Sequence, residues 1–462
     1  MTSLYQNIGK YYLATALLML CIGVVFGLTT ALYYIIPGAE SHLLGFNSLR
    51  PMHVSAIMFW ILLGATGCVY SGLAFFYKFE SPNPIARTQW FLWIIAIGGI
   101  FYSYTKGAFG GREYWEFNPL WALPLAMAWL LFLFNFTKAA KNIAQWPVYI
   151  WMWMTGIIFF LFAFTENYLW LFPYFREHFI TDMTIQWKVN GSLTGSWNQL
   201  LYGTAFFLMD RINKKALIGH SKPAFSLYFL GLFNLMFNWG HHIYTLPTDE
   251  YVRYTGYIVS MTEWIFFVRI VYNWRQSISE IEKNFHYFPY RFLMAADIWV
   301  LLNLTQAIFM SIPAVNLYTH GTHITVAHAM GTTIGINSMI LFAACFEFFG
   351  FDKGLPVKKY RWLNTTFWMV QASLLVFWLA LNIAGVKKGI WQMSAQQQPF
   401  NSMMHELRPW FVLFFGAGIV LAVALCTLSL GLLRHYASNY WKKSHVAASP
   451  NSSPNTHPEN TR

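Results

Sequence analysis

In the stretch "THGTHITVAHAMGTTIG", one residue separates His328 from Met330. An imidazole and a thioether are both donors that can hold a heme iron. On an α-helix two positions amount to about 200° of rotation, so the pair looks to nearly opposite faces. One helix can then present a different ligand on each side. A second pair, His241 and His242 in "NWGHH", is adjacent in sequence. Neighbouring imidazoles reach one metal where the backbone loosens, and Gly240 before them permits that. Imidazole suits iron, copper or zinc. His53, in "LRPMHVSAIMFW", can serve as an axial heme ligand with Arg50 near a propionate. Each residue also has a plain alternative. A histidine can bond a neighbouring helix or sit at the interface beside Arg50, and Met330 can fill core space. Ionisable groups inside a membrane span are nonetheless functional by default.

The elements that must position these residues follow from composition. The chain has 462 residues, 56% hydrophobic and 20% aromatic, with only 10% charged. A soluble domain carries about 25% charge, so the sequence reads as a polytopic membrane protein. Apolar runs of span length predict twelve transmembrane helices in an all-α bundle. They lie at roughly 11–36, 53–77, 88–106, 119–137, 147–171, 187–209, 223–243, 251–274, 289–312, 323–349, 362–386 and 408–434. Residues 1–434 are expected to form one membrane domain, and 435–462 a polar, disordered tail rich in Pro, Ser and Asn. The net charge of +12 is no nucleic-acid signal. The basic residues sit in short connections, where they set orientation. Cys21, Cys68, Cys345 and Cys426 stand singly and imply no disulfide framework. No CxxCH is present to attach a heme covalently. The N-terminus lacks a cleavable signal pattern.

The distribution of Lys and Arg places both termini on the inner side. His53, Asn190, His241, His242, His328 and Met330 then share one layer toward the outer face.

"RPMH", "NWGHH" and "YTHGTHITVAHAM" together resemble the catalytic subunit of the heme-copper oxidase superfamily, and within it the large subunit of the nitric oxide reductases. The resemblance covers nearly the whole chain. "GGREYWEFNP" at 110–119 is similar to an outer-loop motif of that subunit, and "SMTEWIFF" at 260–267 matches its span-eight glutamate. The resemblance implies a twelve-helix subunit I fold. It places His328 on the proximal side of a high-spin heme b, His53 on a low-spin heme b, and His241 and His242 on a non-heme metal. Glu113 would help bind calcium between propionates, and Glu116 would lie on a proton route from outside. Glu263 would tune the metal or donate protons. A solvated acidic pair and a buried neutral glutamate are the plain alternatives.

The sequence departs from the family pattern at two places. Met330 stands where the family has a second histidine, so the low-spin heme would be His/Met, which favours ferrous iron and raises the potential. On span six the reductases carry a His and two Glu at spacings of four, where this chain has Asn190, Thr194 and Asn198. An Asn–His–His set argues for iron over copper. Thr194 also stands where the main oxidase type puts a tyrosine; in the C-family oxygen reductases a tyrosine on span seven serves that role, and Tyr228 matches its position poorly. The expectation is a respiratory reductase of the bacterial inner membrane that converts nitric oxide to nitrous oxide. Span one follows the N-terminus almost directly, so electrons are expected from a membrane-anchored c-type cytochrome. An oxygen reductase and a non-catalytic, gas-binding heme paralogue stay open. Asp297 and Glu347 form no proton chain from the inner side, so pumping is not expected.

Overall fold

The computed structural model describes residues 6–36, 45–76, 83–213, 217–260, 264–351 and 360–447. It opens with α1 (Gln6–Ile35), α2 (Phe46–Phe76) and α3 (Pro84–Thr105). A hairpin of β1 (Phe109–Arg112) and β2 (Trp115–Phe117) follows. Next come α4 (Ala122–Ala139), α5 (Val148–Glu166), the short α6 (Pro173–Arg176) and α7 (Phe179–Ile212). α8 (Lys222–Phe237) tightens into a 3-10 segment, Asn238–Ile243. α9 (Glu250–Ser260), α10 (Trp264–Ser277), α11 (Glu280–Phe285), α12 (Tyr287–Ser311) and α13 (Pro313–Thr319) lead to α14 (His323–Met330). A π-helical stretch, Gly331–Ser338, joins α14 to α15 (Met339–Phe349). α16 (Arg361–Met393) and α17 (Phe400–Ala447) complete the bundle. α17 thus continues past residue 434, where the polar tail was expected to begin.

Among the described residues, nine helical segments are long and apolar enough to cross a membrane. They match the first five and the last four of the expected spans. The three that fall short are the middle ones. α7 is long enough but carries Asn190, Ser192, Ser196 and Gln199, all buried inside the protein. α8 has only 16 residues before it tightens. The expected span 251–274 is divided between α9 and α10, and residues 261–263 lie outside the described ones. A bundle interior tolerates polar side chains that lipid does not, which suits the buried polar residues of α7.

Burial identifies the central helices. The apolar window of α2 is 83% buried and that of His323–Phe349 is 78%, against 33% for α3 and α17. The helices with His53, His328 and Met330 are therefore the two most enclosed of the nine. They run parallel: Trp60 Nε1 donates to Ser338 Oγ at 2.8 Å, and Gly64 packs on Leu341 one turn further along both. α1 packs antiparallel to α17, with Tyr11 against Tyr436 and Tyr34 against Phe411.

The end of the bundle away from His53 is tied by a buried carboxylate. Glu347 accepts from Arg211 Nε at 2.5 Å and from His286 Nδ1 at 2.9 Å, joining α15 to α7 and to the start of α12. The Arg211 guanidinium also lies 3.9 Å from the centre of the Phe75 ring on α2. Glu347 is thus a structural tie between these helices. Asp297 remains apart from it, with a buried oxygen that has no hydrogen-bond partner among the described residues.

Candidate functional site

His53 sits two turns into α2, just after Pro51, where the helix lacks one amide donor. Its Nδ1 lies 2.7 Å from the Gly23 carbonyl of α1. That carbonyl accepts only if Nδ1 carries the proton, which leaves Nε2 as the free, basic nitrogen. The ring is pressed onto Gly27 so closely that a Cβ there would stand 2.6 Å from it. A histidine that gives one N–H to a carbonyl and keeps the other nitrogen free is set up as a metal ligand. His53 is two turns from Trp60 and Met330 two turns from Ser338, in the same direction along parallel helices joined at Trp60–Ser338.

His241 and His242 lie on the 3-10 segment that ends α8. Their rings are 4.1 Å apart and tilted by 39°. Two glycines let this segment approach its neighbour: Gly240 meets Gly256 of α9, where a Cβ would be 3.0 Å from the His241 amide nitrogen. Gly191 lets α7 close on Trp239 in the same way. Asn190, beside Gly191, is buried, and neither of its amide atoms has a hydrogen-bond partner among the described residues. Thr194 is spoken for, since its hydroxyl donates to the Asn190 carbonyl at 2.9 Å. His241 and His242 are both within electrostatic reach of His328 on α14. His328 therefore lies in the neighbourhood of His241 and His242.

Two aromatic contacts were not anticipated. The Trp187 indole stacks on His242 with centroids 5.3 Å apart and planes 8° apart. His320 touches the same indole at 5.8 Å. The spacing from Trp187 to Asn190, one helical turn, is the only trace of this in the sequence.

The hairpin covers the site end. Arg50 bonds Glu116, and Glu113 lies 3.5 Å from the same guanidinium. Arg50 is thus a cation beside Glu113. Burial pushes the Glu116 carboxyl above the usual carboxylate range, against the pull of Arg50. Its second oxygen is buried without a partner. Arg112 bonds Asp182 and lies over Trp170, which fastens the hairpin to the first turns of α7. Lys188 bonds Glu166 and fastens α7 to α5. Glu263 lies outside the described residues.

The cytochrome c and quinol oxidase polypeptide I family matches residues 7–420. The chain belongs to this family. Members are integral membrane oxidoreductases of the heme-copper type that bind hemes and a non-heme metal. A nitric oxide reductase subunit of Stutzerimonas stutzeri is 24% identical, over 91% of this chain and 93% of that protein. Cytochrome c oxidase subunit 1 of Rhodobacter capsulatus is 21% identical, over 82% and 74%. A heme-copper terminal oxidase dimer solved by cryo-EM shares the fold, with a TM-score of 0.73 at 14% identity over 95% of this chain and 84% of that one.

The donors in this heme-copper oxidase polypeptide fit such groups. Both amide atoms of Asn190 are buried and no described residue hydrogen-bonds to them, while His241 and His328, each with a buried Nδ1, have only weak contacts with the backbone of Asn238 and Asn303. Buried polar atoms rarely go without a partner, so this set is suited to one that is not protein. Among the described residues no three His, Cys, Asp or Glu side chains gather as a metal-ligand group. The expected set holds two imidazoles and an amide, so it falls outside that description.

Proposed function

We propose that the chain is the catalytic subunit of a respiratory nitric oxide reductase. Two molecules of nitric oxide, two electrons and two protons would give one nitrous oxide and one water. His328 would hold a high-spin heme b; His241, His242 and Asn190 a non-heme iron; His53 and Met330 a low-spin heme b. When bound, these groups supply electrons and bring two substrate molecules together, which favours N–N bond formation.

The observation that carries the choice of nitric oxide over oxygen is the placement of tyrosine. Thr194 stands on the α7 face beside Asn190. Tyr228 is thirteen positions before His241 (241 − 228), about 20 Å along the helix. Its hydroxyl is 2.7 Å from Thr155 Oγ1. Tyr244, close after His242, bonds the Ser311 carbonyl at 3.0 Å. An oxygen reductase would need a phenol at the metal, and each of these is engaged elsewhere. The 24% identity to a nitric oxide reductase polypeptide supports the same reading.

The residues of the chain have separable tasks. The Gly23 carbonyl fixes the His53 tautomer and aims its free nitrogen. Asn190 offers an amide oxygen where the family has an imidazole. Glu116, holding its proton to higher pH than an exposed glutamate, suits a proton route from the outer face. Glu263 remains the proposed acid beside the metal. Electrons would arrive from a membrane-anchored c-type cytochrome, because the sequence holds no CxxCH of its own. The basic connections support placement in the bacterial inner membrane with both termini cytoplasmic and the site toward the outer face.

The test is turnover by the purified protein with a reduced cytochrome c-type donor under anaerobic conditions. Nitric oxide loss with nitrous oxide appearing at half its molar amount is expected. Oxygen consumption with no nitrous oxide would move the chain to the oxygen reductases. Heme spectra without any turnover would make it a gas-binding paralogue.

A further inference from the structure

We propose that Trp187 is a positioning residue for the metal centre, acting through His242. The inference rests on the reading of His241 and His242 as metal ligands. A ligand histidine binds well only if its ring plane is held, and second-shell contacts commonly do this. Here the contact is a ring face. The Trp187 indole and the His242 imidazole lie 5.3 Å apart and within 8° of parallel. His241 is 4.1 Å from His242 on the same segment, so fixing one ring constrains the pair.

Three features make the indole a firm support. Trp187 and Asn190 are one turn apart on α7, so a single helix face carries the ring support and the amide donor. The ion pairs Arg112–Asp182 and Lys188–Glu166 hold α7 on both sides of Trp187. His320 packs on the same indole at 5.8 Å and 60°, restricting its rotation.

The chemistry gives the stack a purpose. Three imidazoles around a metal brace one another, whereas this set has two and a weaker amide. A metal draws electron density from an imidazole, and an indole face attracts the resulting positive ring. The stack is therefore strongest with metal bound and slows its loss.

The experiment compares wild type with Trp187→Phe, Trp187→Leu and His242→Ala. Each purified protein, carrying its metals, is incubated with EDTA, and the metal remaining is followed by elemental analysis. The heme spectrum reports an intact fold. Phenylalanine keeps a ring face and leucine only volume. Trp187→Leu is expected to lose non-heme metal about ten- to a hundredfold faster than wild type, with Trp187→Phe within about threefold of it. Equal loss rates for the Leu and Phe variants would overturn the proposal while leaving the metal reading in place. Should Trp187→Leu not retain its heme spectrum, Trp187→Met takes its place in the comparison. His242→Ala is expected to be metal-poor as purified. Wild-type metal in that variant would overturn the positioning role together with the ligand assignment beneath it.

Discussion

The proposed sharing of one heme by His53 and Met330 requires two helices that bring them to similar depth. The Trp60–Ser338 bond sets that level, and each residue stands two turns above it. Replacing Met330 by His should therefore give a bis-imidazole heme. Its midpoint potential should fall by on the order of 100 mV, within the about 0.8 V that axial ligands span. The near-infrared band of a sulfur-ligated ferric heme should vanish with it, and an unchanged potential and spectrum would reduce Met330 to core packing. Glu116 supports a pH prediction. Its folded-state pKa is raised by burial, so the folded protein binds this proton more readily than the unfolded chain does. The resulting stability is present at low pH and is lost as pH rises through the raised pKa. Glu116→Gln should flatten that decline in a thermal unfolding series; an identical pH slope would show that Glu116 ionises freely. Histidines were legible in the sequence because few of them fall in apolar spans, whereas Met330, one of 19 methionines, stood out only by its spacing from His328. Their protein partners were not: the Gly23 carbonyl is thirty positions from His53, and no local pattern encodes such a contact.

At the scale of elements, the sequence was clear for nine helices, the site helices α2 and α14–α15 among them, and least clear from α7 to α10. The peripheral spans announce themselves by unbroken apolar runs. α7, α8 and α9 do not, because their polar and glycine positions serve close packing around the histidines. The 3-10 segment of His241 and His242 approaches α9 through Gly240 and Gly256. A Cβ on Gly256 would meet the His241 amide nitrogen at 3.0 Å and the Gly240 carbonyl carbon at 3.1 Å. Gly256→Val should push the segment outward at a cost of about 1–3 kcal/mol. Non-heme metal should fall well before the heme content does, which elemental analysis beside an optical spectrum would register. Loss of heme first would mean that α9 supports the bundle rather than the metal pair. The hairpin was readable only as a resemblance. Tyr114 at its turn has φ 70°, an unusual conformation for a tyrosine, and packs edge-on against Trp197 of α7.

For the whole molecule, the two ends of the bundle do different work. The end with the histidines carries buried polar atoms without described partners; the other is closed by Glu347 between Arg211 and His286. Breaking a buried ion pair by removing one partner costs about 3–5 kcal/mol. Arg211→Ala should lower thermal stability in detergent by that order and leave the heme spectra unchanged in shape. A loss of turnover at full stability would instead make Glu347 a proton carrier. The most direct measurement of the central claim is the ratio of iron to heme in the purified protein, with heme extracted and identified. Unmodified b-type heme with iron clearly in excess of heme is expected, because His241, His242 and Asn190 would hold an iron that is not in a heme. Iron equal to heme, with copper supplying the difference or with no further metal at all, would contradict it.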